Sequence, residues 1–273
     1  MDKERLLRII NEHGILPDNK FGQNFLCDDD LCSMIAEEAT AGMEGPVLEI
    51  GPGIGAVTEY LLRLNKEVTA IEIDKRLASY LKAAPELKGL DLIVNDYLKL
   101  KATDYNASSF LGAVSNIPYY VTTPIMIKMI TELKSCKSIV LMVEKAALER
   151  ILAHKNSKQY GPLAILLSLF GNVDILTNVG PDSFYPAPHT VSSVIKITAY
   201  DDRKVLTPAF ASFLEACFSQ RRKKLSNSLK SYQTSNSLPP VEAILSELNI
   251  SSDVRAEDLD AEIFEEIYLR WGA

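Results

Sequence analysis

Gly51 and Gly53 open a tight turn behind the apolar run Val47 to Ile50. Glu72 closes a second apolar run about twenty residues further on, and Asp96 follows a third. Glycine lets backbone approach a ligand closely and accepts positive φ. A carboxylate at the offset of Glu72 accepts both hydroxyls of a ribose, and Asp96 is placed to accept the exocyclic amine of an adenine. The chemistry is that of an adenosyl pocket. Gly51, Gly53 and Ala56 also satisfy G-x-G-x-x-A, so a nicotinamide dinucleotide competes with S-adenosylmethionine (SAM) for this reading. Three details favour SAM. Glu49, two residues before the first glycine, suits a cation better than a pyrophosphate. Pro52 removes an N–H that a phosphate needs, and Asp96 supplies the adenine acceptor.

A second group follows the fourth apolar run: Asn116-Ile117-Pro118-Tyr119. The N6 amine of adenine is a poor nucleophile because its lone pair is delocalised into the ring. The Asn116 side-chain oxygen and the Ile117 carbonyl, set on its two N–H bonds, pyramidalise the nitrogen and aim the lone pair. Pro118 stiffens the turn, and Tyr119 offers a ring for an extruded base. Attack on a sulfonium methyl is then an in-line displacement helped by positioning and electrostatics, with no strong general base. Phe184-Tyr185-Pro186-Ala187-Pro188 forms another aromatic turn, from which Phe184 could cover the base's other face.

These residues need elements to carry them. Strand patterns run over Val47 to Ile50, Val68 to Ile73, Leu90 to Val94, Phe110 to Val114 and Ser138 to Val143, with helices between them. Alternation at this spacing predicts a mostly parallel Rossmann-like α/β sheet with helices on both faces. Upstream, Lys3 to His13 reads as an amphipathic helix stopped by Gly14 and Pro17. Asp28 caps a helix to about Ala41, with Leu31, Ile35 and Ala39 on one face. Val173 to Val179 and Val194 to Thr198 are expected as a hairpin on the sheet edge. Beyond Asp202 the chain is helical: Thr207 to Phe218, Arg222 to Leu229, Val241 to Leu248 and Ala261 to Trp271. The expected division is a catalytic domain over 1–200 and a small all-α domain over 201–273.

The net charge of −7 argues against a nucleic-acid partner only until it is divided: residues 1–133 carry −7, residues 134–241 carry +7 and residues 242–273 carry −7. Within the basic middle, Arg221, Arg222, Lys223 and Lys224 stand together, followed by Lys230, with no acid among them. Such a cluster gives salt-sensitive affinity for RNA through counterion release, and Lys145, Arg150, Lys155 and Lys158 could extend it. Cys27, Cys32, Cys136 and Cys217 form no paired framework, which suits a reducing compartment. His13, His154 and His189 have no ligand spacing, so no metal is expected. Without an apolar signal core or a span-length apolar run, a soluble cytoplasmic protein without membrane attachment is expected.

Taken in order, Lys20-Phe21-Gly22-Gln23-Asn24-Phe25-Leu26, the stretch Glu49 to Gly55, Asn116 to Tyr119, Phe184 to Pro188, and Phe218 to Leu225 followed by Asn227 resemble the KsgA/RsmA family of small-subunit rRNA adenine-N6,N6-dimethyltransferases along essentially the whole chain. The resemblance implies a class I SAM-dependent methyltransferase that dimethylates two adjacent adenosines near the 3′ end of 16S rRNA in the assembling 30S subunit; a monomer is expected. It adds Asn24 and Leu26 to Gly51, Glu72, Asp96 and Asn116 as SAM contacts. Two positions depart from its pattern: Ser192, where the family has Asp, and Glu144, where it has Gln. The alternatives are an Erm-type 23S rRNA methyltransferase, a ribosome-assembly binding factor with vestigial activity, and, more distantly, a nicotinamide dehydrogenase.

Overall fold

A computed structural model describes residues 1–18, 21–116, 121–203 and 206–272. Helix α1 (Lys3–His13) is capped by the Asp2 side chain and ends at Gly14, whose φ of 61° is the left-handed stop expected of glycine. Strand β1 (Phe25–Leu26) leads into α2 (Asp29–Thr40). The Asp28 side chain accepts from the Leu31 N–H at 3.1 Å, and Leu31, Ile35 and Ala39 are buried, as their spacing predicts. Then come β2 (Val47–Ile50), α3 (Ala56–Arg63), β3 (Val68–Glu72), α4 (Lys75–Ala83), β4 (Asp91–Val94), β5 (Gly112–Asn116), α5 (Thr122–Glu132) and β6 (Ser138–Glu144). They are followed by α6 (Lys145–Ile151), α7 (Pro162–Phe170), β7 (Gly171–Val179), β8 (Phe184–Tyr185) and β9 (Ser192–Ala199).

Seven strands form one sheet in the order β4-β3-β2-β5-β6-β9-β7. The first five are parallel and β9 runs antiparallel to β6, so the fold is the α/β sheet expected. β9 enters between β6 and β7, leaving β7 at the edge. The winding reverses between β2 and β5, which opens a crevice at the carboxyl ends of those two strands. There the Ser115 hydroxyl donates to the Ile50 carbonyl at 2.6 Å, pinning the two strand ends together in a buried position. Helix α2 packs on β5, β6 and β9 and on α3, and closes one side of the core.

The chain divides into two compact units. The first holds residues 1–125, 133–148 and 172–200, and the second holds 126–132, 149–171 and everything from Asp201 onward. The second unit therefore gathers two segments from within the first 200 residues as well as the C-terminal helices α8 (Pro208–Phe218), α9 (Leu225–Ser235), α10 (Val241–Glu247) and α11 (Ala261–Trp271). Its interior is aromatic: Phe210, Phe213, Tyr232, Tyr268 and Trp271 meet ring to ring. Trp271 satisfies its buried indole N–H on the Pro239 carbonyl at 2.8 Å.

Candidate functional site

Behind β2 the backbone turns sharply, with φ of 68° at Gly51, 61° at Gly53 and 80° at Gly55. At Gly53 a Cβ would also lie 3.3 Å from the Phe25 ring, so the backbone favours glycine and any side chain would press on that ring. The Gly53 N–H donates to Glu72 Oε2 at 3.2 Å, and the Asp74 N–H donates to Glu72 Oε1 at 2.8 Å. Burial pushes the Glu72 carboxyl up to about 7, against the lowering effect of those two N–H groups. Glu49, on β2, is fully buried and accepts from the Thr58 hydroxyl at 2.6 Å. Burial raises it to about 7 as well; the Thr58 hydrogen bond opposes the rise, and the neighbouring Glu72 charge adds to it.

Both carboxyls line one cleft together with Asn24, Leu26, Gly51, Gly53 and Asn116. The glycine N–H groups of the turn are already committed, Gly51 to the Ile71 carbonyl, Gly53 to Glu72 and Gly55 to the Pro52 carbonyl, and two acids face the space. A pyrophosphate is disfavoured there and a cation is favoured, so the structure separates the two ligand readings that the glycine spacing leaves open.

Asn116 ends β5 and enters the same cleft. Its side-chain NH₂ donates to the Asn24 carbonyl at 3.2 Å. Phe25 and Leu26 pair antiparallel with Tyr185 and Phe184, so two motifs far apart in sequence form one small sheet at the cleft. Phe184 is 2% exposed within the hydrophobic core of this unit. Its ring therefore presents no open face among the described residues, while Tyr185 beside it is only partly buried. Ile117, Pro118 and Tyr119, expected to complete the tetrapeptide, lie outside the described residues, as does Lys20.

Asp96 lies just past β4 and caps a short helical turn, accepting from the Leu98 N–H at 3.0 Å. It is not part of the cleft lining formed by the other expected contacts. Around it stand three exposed apolar side chains that sequence reasoning missed: Ile73 (45% exposed), Leu98 (38%) and Val94. Exposure of large aliphatics next to a polar acceptor is the signal, and no sequence period carries it. Gln23 was missed too; it lines the cleft and donates to Asp74 at 3.0 Å. The two departures from the family pattern turn out to face each other: Glu144 on β6 is the register partner of Ser192 on β9.

In the second unit, Arg221 to Lys224 form the turn between α8 and α9, not the start of a helix. Arg221 donates to the carbonyls of Lys158 (2.6 Å) and Ser157 (3.3 Å) and pairs with Glu257 at 3.3 Å. Lys224 pairs with Asp253, and Lys155 with Asp260 at 2.6 Å. Carboxylates of the acidic C-terminal stretch thus neutralise part of the basic middle. Arg222 and Lys223 are exposed, with no ion pair among the described residues. Among the described residues no group of three or more His, Cys, Asp or Glu side chains could hold a metal, and no helix is long and apolar enough to cross a membrane.

Residues 17–270 match the family described as Ribosomal RNA adenine dimethylase. A Ribosomal RNA small subunit methyltransferase A of Clostridium botulinum is 36% identical over 94% of this chain and 94% of its own length. The protein of that name from Leuconostoc mesenteroides is 35% identical over 97% and 93%. Among solved structures, a dimethyladenosine transferase from Plasmodium falciparum superposes with a TM-score of 0.71 at 28% identity, covering 91% of this chain and 97% of that one. The 23S rRNA methyltransferase ErmE, at 23% identity and a TM-score of 0.57 over 92% and 100%, shares the fold.

Proposed function

The chain belongs to the ribosomal RNA adenine dimethylase family, and we propose that its substrates are two adjacent adenosines near the 3′ end of 16S rRNA, each dimethylated at N6 in the assembling small subunit. The coarser activity, SAM-dependent rRNA adenine dimethylation, follows from family membership. The small-subunit target rests on the names of relatives matched over nearly their full length. In this reading the protein works as a monomer in the cytoplasm, where ribosomes assemble.

The observation that carries the reading is the cleft that sets Asn116 across from a glycine turn and two buried carboxyls. These residues fit SAM: the acids suit a cation, and the glycine at 53, with φ of 61°, keeps a side chain off the turn beside the Phe25 ring. SAM supplies a methyl group made electrophilic by a sulfonium. Glu72 holds the ribose hydroxyls, and Gly51, Gly53, Asn24 and Leu26 line the seat. Asp96 accepts from the adenine amine, with Ile73 and Leu98 offering apolar surface to its ring. Asn116 Oδ1 accepts an N6 hydrogen of the target base, and the parts expected of Ile117, Pro118 and Tyr119 fall on residues outside those described. Phe184 contributes by packing under this site, holding β1 in place. Arg222 and Lys223 neutralise RNA phosphates, while Arg221 and Lys224 shape the turn that presents them.

The test is methyl transfer from labelled SAM to unmethylated 30S and 50S particles, with reverse-transcription stops locating the modified bases. Label in two adjacent 16S adenosines is expected; label confined to 23S rRNA overturns the target in favour of an Erm-type activity. A normally active Asn116→Ala variant overturns the mechanism. An RNA-binding wild type without transfer would point instead to an assembly factor.

A further inference from the structure

We infer that the backbone carbonyl of Asn24 is a positioning group for Asn116, fixing which side of its amide is offered to the substrate; this rests on the reading of Asn116 as the acceptor for N6. A carbonyl oxygen only accepts, so the group facing Asn24 at 3.2 Å is the NH₂ of Asn116. That contact removes the two-fold ambiguity of the amide. It leaves Oδ1, the end required to accept from an amine, with no hydrogen bond among the described residues, on a side chain that lines the cleft.

The Asn24 carbonyl is itself held. Gly22 has φ of 58°, and its carbonyl accepts from the Asn24 side chain at 3.3 Å. Gln23 bridges the Asp18 N–H at 2.8 Å and Asp74 at 3.0 Å. On the other side, β1 is paired to β8, the Cys27 N–H donates to the Ser183 carbonyl at 2.8 Å, and the Ser183 hydroxyl donates to Asp28 at 2.9 Å. Asn116 is fixed from behind by Ser115, whose hydroxyl ties β5 to β2. The donor–acceptor contact therefore joins two anchored pieces of backbone, and the amide between them has little freedom to turn over. The N-terminal segment thus orients the acceptor as well as lining the SAM seat.

Asn116→Asp tests this. It retains oxygens that can accept from N6 and loses the donor, so the introduced carboxylate, while ionised, faces the Asn24 carbonyl acceptor to acceptor. Once protonated, the carboxyl donates to Asn24 and keeps a free oxygen on the substrate side. The ratio of variant to wild-type kcat, measured from roughly pH 8 down to pH 5, is expected to start at least tenfold below unity and to climb as the introduced acid gains its proton. Asn116→Ala should stay low at every pH. The side-chain amide protons of Asn116 in the free protein, followed by NMR, should exchange more slowly than those of an exposed asparagine, and Gly22→Ala should shift them. A flat Asn116→Asp ratio beside an inactive Asn116→Ala overturns the positioning role and leaves the acceptor role standing. So does an Asn116 amide that exchanges as fast as an exposed one. An active Asn116→Ala overturns both roles.

Discussion

Burial pushes Glu49 and Glu72 up to about 7 in the cleft proposed to receive SAM, so binding a sulfonium and a ribose there should drive protons off them. A carboxyl with a pKa of about 7 that binds its ligand only when ionised is about one-tenth ionised at pH 6 and nearly fully ionised at pH 8. The Kd for SAM should therefore tighten roughly tenfold between those pH values if one carboxyl is involved, and towards a hundredfold if both titrate together. Stability of the free protein runs the other way. The folded state retains protons that the unfolded chain releases between about pH 4.5 and pH 7, so the stability present at the acid end of that window is lost as pH rises through it. Saturating SAM should recover the loss. Titration calorimetry in buffers of different ionisation enthalpy reads the released protons directly, and Glu49→Gln, which can still accept from Thr58, should remove one carboxyl's share of the pH dependence. A Kd for SAM that moves less than twofold between about pH 6 and pH 8, with no buffer dependence of the enthalpy, refutes the argument.

In salt titrations of RNA binding, Arg222→Gln and Lys223→Gln should each reduce the magnitude of the slope of log K against log salt by about 0.7–0.9, while Arg221→Ala lowers the melting temperature more than it changes the slope. Gly112→Ala should cost about 1–3 kcal/mol in urea unfolding, because a Cβ there lies 2.7 Å from the Ala39 carbonyl of α2, a backbone atom that cannot swing aside. Asp28→Ala removes the cap of α2 and the acceptor of the Ser183 hydroxyl, for about 1–2 kcal/mol and a weaker SAM Kd through the loosened β1 segment.

What the sequence made legible was whatever has a period or a cap. Lys3–His13, the Asp28 cap, and the strands at Val47–Ile50 and Ser138–Glu144 fall where apolar spacing and terminating residues put them. The basic stretch shows the limit. Arg and Lys are good helix formers, and a helix from Arg222 is the natural expectation. Yet Arg221 is drawn to the carbonyls of residues 157 and 158, and Lys224 to Asp253, and those long-range ties win over propensity to give a turn. Half of the expected phosphate contacts are thereby internal cross-links. Two-residue strands carry no alternation, so the β1–β8 pairing was invisible even though both motifs stand out in the sequence. The glycine turn, Glu72 and Asn116 were legible because each sits at a strand end, where side-chain type alone signals ligand chemistry. The Thr58 partner of Glu49 and the exposed Ile73 and Leu98 depend on how the turn after each strand folds, which residue spacing does not encode.

The pairing of Phe25 and Leu26 with Tyr185 and Phe184 also bears on how the protein is made. A ribosome delivers the N-terminal segment first, but its strand partner emerges only after β7 has been synthesised. Closing so long a loop adds an entropic cost that grows slowly with length, so it is order of synthesis more than entropy that delays the contact. The nascent chain can form β2, β3 and the glycine turn while the β1–β8 pair beside the cleft is still missing. On a growing chain, SAM should therefore gain its full affinity only once residues beyond Tyr185 have cleared the exit tunnel.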